Sequence, residues 1–308
     1  MENKNNYDVI IIGGGPGGYA AALYCTRAGH KTLLLEEMVP GGQMSITSQV
    51  ENYPGFDQAI DGFDLALKMQ AGAERFGAET QSLRAEAIYP QENPKRVHTS
   101  KGDFYCKTMI LAMGASPRKL GLPGEEEMTG HGISYCATCD GNLYRGKTVV
   151  VAGGGNSAAT EALSLSALCE KVYVVHRSET MRAERKSINL LEKTKNIEVI
   201  HNAAMEELLY TDRMTGVLLR DKITGEKKEI ACEGLFVAIG RIPNTKLCTD
   251  IIDLDEQGYI IADETTKTNI DGVYAVGDIR TKPLRQIITA AADGAVASVF
   301  AEEYMQDL

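Results

Sequence analysis

The feature that most constrains this chain is a glycine-rich turn that occurs twice in the same setting. The first is Gly13-Gly14-Gly15-Pro16-Gly17-Gly18 and the second is Gly153-Gly154-Gly155-Asn156-Ser157-Ala158. Each follows a short apolar run, Tyr7 to Ile12 and Lys147 to Ala152. Each opens a helical stretch, Gly17 to about Ala28 and Ser157 to about Cys169, and a second apolar run follows, Lys31 to Leu35 and Lys171 to Val175. Strand, glycine turn, helix and strand make the βαβ unit that holds a dinucleotide. The first glycine allows the tight turn, the second lets backbone approach a pyrophosphate, and the third permits close packing of helix on strand. The helix N-terminus then offers N–H groups and a positive dipole end to the phosphates. Two such units within 308 residues leave room for two domains and little else.

The residues that end the second strands differ informatively. Glu36 lies 23 positions after Gly13 (36 − 13), and His176 lies 23 positions after Gly153 (176 − 153). A carboxylate at this place accepts hydrogen bonds from ribose hydroxyls, whereas positive groups suit a 2′-phosphate. Glu36 therefore points to an FAD-type adenosine. His176-Arg177, followed by Arg182 and Arg185, points to NADPH. Ala115-Ser116-Pro117 and Pro243-Asn244 each follow a strand pattern and mark the places where the chain crosses between domains. The expected fold is α/β, with two Rossmann-like nucleotide-binding domains of three layers (β/β/α). The NADPH domain, 117–243, is inserted into an FAD domain made of 1–116 and 244–308.

Between the two glycine turns lies Cys136-Ala137-Thr138-Cys139-Asp140. Two thiols at this spacing can close a small ring, so one can attack a disulfide and the other resolve the mixed disulfide. A zinc site would need a second pair of ligands at suitable spacing, and none is present; no metal is expected. The other five of the seven cysteines, Cys25, Cys106, Cys169, Cys232 and Cys248, sit singly among apolar or mixed neighbours and read as buried small hydrophobes. A net charge of −10 argues against nucleic acid as a partner. No apolar run approaches the roughly 20 residues that span a bilayer. Nothing in the sequence targets the chain outside the cytoplasm.

With these motifs in order, the chain closely resembles the low-molecular-weight thioredoxin reductases, a family of flavoprotein disulfide reductases. The match extends over Gly41-Gly42-Gln43, Glu51-Asn52-Tyr53-Pro54-Gly55, Cys136 to Gly141 and Val237-Ala238-Ile239-Gly240-Arg241. It closes with Gly272-Val273-Tyr274-Ala275-Val276-Gly277-Asp278 and Arg285-Gln286. Larger disulfide reductases carry the redox pair after the first glycine motif, where this chain has only Cys25. The resemblance implies an FAD site built from Gly13, Gly15, Pro16, Gly18, Glu36, Gly42, Gln43, Asn52, Gly277, Asp278, Arg285, Gln286 and Ile287. It implies an NADPH site built from Gly153, Gly155, Asn156, Ser157, Ala158, His176, Arg177, Arg182, Gly240 and Arg241. A helix starting near Arg285 would stabilise negative charge on reduced flavin.

The resemblance further implies transfer of electrons from NADPH through FAD to a Cys136–Cys139 disulfide, and from there to thioredoxin. Cys139 would face the flavin, Cys136 would attack thioredoxin, and Asp140 would exchange protons with the thiols. A homodimer through the FAD domain is implied as well. The redox pair must reach both flavin and an external protein, which predicts rotation of the inserted domain about crossings at 115–118 and 243–247. The family's usual His-Arg-Arg-x-x-x-Arg reads His176-Arg177-Ser178-Glu179-Thr180-Met181-Arg182 here, so one arginine is replaced by Ser178. A lost charged hydrogen bond to phosphate costs on the order of 1.5–3 kcal/mol. That departure admits an alternative, a related flavoenzyme that uses NADH or ferredoxin as donor or that oxidises dithiols.

Overall fold

The computed structural model describes residues 5–37, 39–47 and 49–308. The chain forms two compact units, Met1–Ser116 with Ile242–Leu308 and Pro117–Arg241. It passes between them in two short strands, Ala115–Pro117 and Arg241–Pro243, which pair with each other.

In the first unit, Asn6–Ile12 lies between Thr32–Glu36 and Gly102–Leu111, parallel to both. Glu79–Ser82 extends the parallel sheet beyond Thr32–Glu36, and Val273–Ala275 extends it beyond Gly102–Leu111. The first half of Gly102–Leu111 instead pairs antiparallel with Lys95–Thr99, which pairs with Ala85–Tyr89. One long strand thus serves two layers. Successive side chains of a strand point to opposite faces, so a sheet covered on both sides reads as an unbroken apolar run. Val9 and Ile11 accordingly pack with Tyr19, Ala22 and Ala297 of the helices Pro16–Arg27 and Ile287–Gln306. Ile10 and Ile12 pack with Val97 and Phe104 of the antiparallel layer.

The second unit repeats the plan. Its parallel sheet runs Ile197–Ile200, Lys171–Val175, Thr148–Ala152, Gly234–Val237, Ile133–Ser134. Val149 and Val151 face the helices Asn156–Ser166 and Arg185–Lys193. Val150 and Ala152 face a three-stranded antiparallel layer, Ala203–Tyr210, Met214–Asp221 and Lys227–Ala231. The α/β, two-Rossmann architecture expected from the glycine turns is what the backbone shows. The helix expected over Ser157–Cys169 ends at Ser166, because the chain tightens into a turn in which Leu168 and Cys169 both donate to Leu165 O. No helix among the described residues is long and apolar enough to cross a membrane.

Candidate functional site

The glycine turn of the first unit is shaped by contacts that exclude a side chain. Gly13 has φ 107°, and a Cβ on Gly18 would lie 2.0 Å from Gly13 O. Gly15 is different: a Cβ there would meet nothing within 4 Å, and no side chain caps the helix that it starts. The first-turn N–H groups of Pro16–Arg27 therefore open onto space that only an outside acceptor can fill. Gly155 repeats this arrangement ahead of Asn156–Ser166. Both units thus hold a cradle that fits a phosphate group.

Around the first cradle the structure gathers several of the expected residues. Glu36 Oε2 accepts from Gly14 N at 2.5 Å, so its carboxylate braces the turn from the strand end. Gly41 N donates to Gly14 O, and a Cβ on Gly42 would lie 3.8 Å from Gly15 Cα. Gln43 follows on an exposed turn. Asn52 Nδ2 donates to Gln286 Oε1 at 3.0 Å, joining two residues 234 apart in sequence. Gln286 is also the N-cap of the C-terminal helix, in a capping box with Thr289. Ile287, at the first turn, packs against the cluster of Met44, Val50 and Leu65. Gly277 has φ 74° and opens the short turn that carries Asp278.

Arg285 is committed to the protein. Its guanidinium donates to Asp278 O and Arg280 O and lies 4.0 Å from the centre of the Tyr259 ring. Sequence reasoning missed a buried ion cluster behind this turn. Asp293 Oδ2 accepts from Gly277 N, Arg280 Nε and Lys282 Nζ at 2.7 to 2.9 Å, and Arg280 Nη2 donates to Asp293 Oδ1. Burial alone would raise the Asp293 carboxyl, but the hydrogen bonds from Arg280 and Lys282 prevail and hold it below the usual range. A signal existed: Asp293 is the one charge within the apolar stretch 287–301.

The redox pair belongs to the second unit. Cys136 and Cys139 form a disulfide, with Cα atoms 5.3 Å apart, at the start of the short helix Ala137–Asp140. Both cysteines are half-buried, and the five remaining thiols are free and buried. Asp140 Oδ2 accepts from Ser134 Oγ at 2.6 Å, and Ser134 Oγ in turn accepts from Cys136 N. Burial pushes the Asp140 carboxyl above its usual range, against the opposing pull of the Ser134 hydrogen bond. A second acid nearby, Glu161 on Asn156–Ser166, accepts from the Ala137 N–H between the two cysteines. Its Oε2 is buried without a hydrogen-bond partner. Burial raises its pKa to about 7, more than the Arg241 guanidinium and the Ala137 N–H lower it. Glu161 lies inside a helical pattern, where only the fold shows its proximity to the disulfide.

The basic end of Lys171–Val175 also differs in part from expectation. Arg177, Ser178 and Arg182 are exposed, and Arg182 N donates to Gly154 O, which brings it beneath the second glycine turn. His176 is only 6% exposed and shares a hydrogen bond of 2.9 Å with His201. Burial, and then His201, push its pKa down, so it offers an uncharged ring at neutral pH. Asn156 Oδ1 accepts from Glu184 N, while Ser157 is exposed and Ala158 buried. Gly240 O accepts from Arg118 N, and Arg241 Nη2 is 3.5 Å from Tyr135 O.

Comparison with known proteins agrees with this geometry. Residues 7–294 match the model of the pyridine nucleotide-disulphide oxidoreductase family. The chain is similar to a thioredoxin reductase of Treponema pallidum, 41% identical with 99% of each chain covered. It is similar to one of Bacillus subtilis, 38% identical over 100% of this chain and 98% of that one. A solved thioredoxin reductase of Streptococcus pyogenes superposes with a TM-score of 0.93 at 38% identity, covering 99% of this chain and 100% of the other.

Proposed function

We propose that this chain, which belongs to the pyridine nucleotide-disulphide oxidoreductase family, is an NADPH-dependent flavoenzyme that reduces thioredoxin through Cys136 and Cys139. The observation that carries this reading is the disulfide itself, set beside a buried acid within a unit that repeats the dinucleotide-binding plan. FAD, when bound, supplies the carrier between a hydride donor and the disulfide.

The unit of 1–116 and 242–308 holds FAD with Gly13, Gly15, Pro16, Gly18, Glu36, Gly42, Gln43, Asn52, Gly277, Asp278, Arg285, Gln286 and Ile287. Arg285 and the Asp293 cluster act by fixing the Gly277–Asp278 turn. The unit of 117–241 holds NADPH with Gly153, Gly155, Asn156, Ser157, Ala158, His176, Arg177, Arg182, Gly240 and Arg241. The open start of the helix Asn156–Ser166 supports the phosphate part of that assignment.

Once the disulfide has taken up an electron pair, the Cys136 thiolate attacks one sulfur of the thioredoxin disulfide. An S–S bond forms to Cys136 and the other thioredoxin sulfur leaves as a thiolate. Cys139 then attacks Cys136, restoring the internal disulfide and releasing the second thioredoxin thiol. Asp140 exchanges protons with these thiols; its burial favours the protonated form and Ser134 fixes its orientation.

Exposed Tyr24, Phe63, Leu67 and Phe76 on and beside the first two long helices support a homodimer through the FAD-binding unit. Five unpaired buried thiols suit a reducing compartment, the cytoplasm. The test is NADPH-driven reduction of a thiol-reactive dye through added thioredoxin. It should be abolished in Cys136→Ser and Cys139→Ser. Bleaching of the flavin by reduced ferredoxin but not by NADPH would overturn the choice of donor.

A further inference from the structure

The loop after Lys171–Val175 carries Ser178 where a second arginine would contact a 2′-phosphate, yet a cation stands beside it from another part of the chain. The end of Lys171–Val175, the loop at 201–202 and the end of Met214–Asp221 are stitched together by backbone. Asn202 N donates to Ser178 O at 3.1 Å, and Lys222 N donates to Asn202 O at 2.7 Å. Asn202 holds φ 53°, a left-handed conformation that asparagine tolerates better than most residues. This turn sets Lys222 directly across from Ser178. The Lys222 ammonium donates to Arg177 O at 3.4 Å, so it lies over the Arg177–Ser178 peptide.

The charge there is not neutralised locally. The neighbouring carboxylate, Asp221, is occupied by the Ile223 and Thr224 N–H groups of its own turn, at 2.7 and 2.9 Å. Among the described residues no carboxylate lies within ion-pairing distance of the Lys222 ammonium. Lys222 is exposed, as are Arg177, Ser178 and Arg182, and Arg182 is tied to the same glycine turn through Gly154 O. Three exposed basic residues, Arg177, Arg182 and Lys222, are therefore held by these contacts near the end of Lys171–Val175 and the second glycine turn, and the buried His176 beside them is uncharged.

We infer that Lys222 is a specificity-determining residue, supplying to the 2′-phosphate of NADPH the positive charge that Ser178 lacks. The inference rests on the assignment of NADPH to this unit. A lysine does this as a mobile point charge, in place of the two-pronged contact an arginine makes. One exposed charged contact of this kind corresponds to about a tenfold difference in affinity.

The test is calorimetric binding of 2′,5′-ADP and of 5′-AMP to the oxidised, FAD-loaded protein. Lys222→Met should weaken 2′,5′-ADP about tenfold and leave 5′-AMP within about twofold. Lys222→Arg should keep the preference, and Ser178→Arg added to Lys222→Met should restore it. Equal weakening of both ligands would mean that Lys222 only shapes the loop; no change in either would mean that it does not reach the phosphate. Both outcomes overturn the inference while leaving a wild-type preference for 2′,5′-ADP in place. A wild-type protein with no such preference would overturn the NADPH assignment itself, and the role of Lys222 with it. Thermal midpoints of the variants verify that each is folded.

Discussion

Replacing Glu161 by glutamine should remove a pH dependence of stability that the wild-type chain carries. The Glu161 carboxyl ordinarily titrates near 4.5 and burial raises it to about 7 in the folded chain. Between those values the folded state holds a proton that the unfolded state has released, so stability falls as pH rises. The contribution of the neutral acid is fully present below about pH 4.5 and is lost by the time pH passes about 7. A gap of about 2.5 in pKa (7 − 4.5), at roughly 1.4 kcal/mol for each, gives about 3.5 kcal/mol over the whole window. Glutamine keeps the acceptor for Ala137 N–H and the size of the neutral acid but cannot ionise. Urea unfolding followed by circular dichroism, near pH 5 and near pH 8, measures the difference. Because pH 5 already lies above the unfolded value, wild type should lose about 2.5 kcal/mol more than Glu161→Gln across that interval. Groups common to both chains, His176 included, cancel in the comparison. Parallel curves would show that Glu161 is ionised throughout and that its burial beside the redox helix has no energetic consequence.

Other expectations follow from the two cradles and the ion cluster. Gly18→Ala would place a Cβ 2.0 Å from Gly13 O; overpacking of this kind costs about 1–3 kcal/mol or more. It should lower both the thermal midpoint and the flavin bound per chain. Gly15→Ala, whose Cβ meets nothing within 4 Å, should leave the flavin-free protein within about 0.5 kcal/mol of wild type but weaken FAD, as flavin fluorescence would show. Asp293→Asn leaves Arg280 and Lys282 buried without their counter-charge and should cost about 3–5 kcal/mol in urea unfolding. Because the Asp293 pKa is depressed, the cluster's contribution in wild type is full above pH 3.8 and is lost only as pH falls through the lower folded value. Asp140→Asn should slow thiol–disulfide exchange about tenfold in rapid-mixing experiments. That is below the usual contribution of a general acid, because burial of Asp140 is incomplete and water can stand in for it.

Local patterns made the architecture legible. The glycine turns, the equal offsets to Glu36 and His176, and the apolar runs of two-sided strands are all short-range features. The redox pair was legible for the same reason, being one contiguous segment. Residues that act across long sequence separations were not. Glu161 looks like one more polar position on an amphipathic helix, and only packing brings it to Ala137 N–H. Lys222 reads as a hairpin-end lysine until the Asn202 turn carries it to Ser178. The burial of His176, which disfavours a charge on its ring, is not readable from residue type alone. That Arg285 also holds the Gly277–Arg280 turn, through hydrogen bonds to Asp278 O and Arg280 O, is a contact that the residue order does not reveal.

The central claim is that electrons from NADPH reach an outside partner only through Cys136 and Cys139. Anaerobic addition of NADPH to the oxidised FAD-loaded protein, followed by alkylation under denaturing conditions and peptide mass mapping, tests it directly. The account predicts new thiols at Cys136 and Cys139 alone, and their disappearance when oxidised thioredoxin is added before alkylation. A bleached flavin with the Cys136–Cys139 disulfide still intact, or thioredoxin reduced by the Cys136→Ser/Cys139→Ser chain, would contradict it.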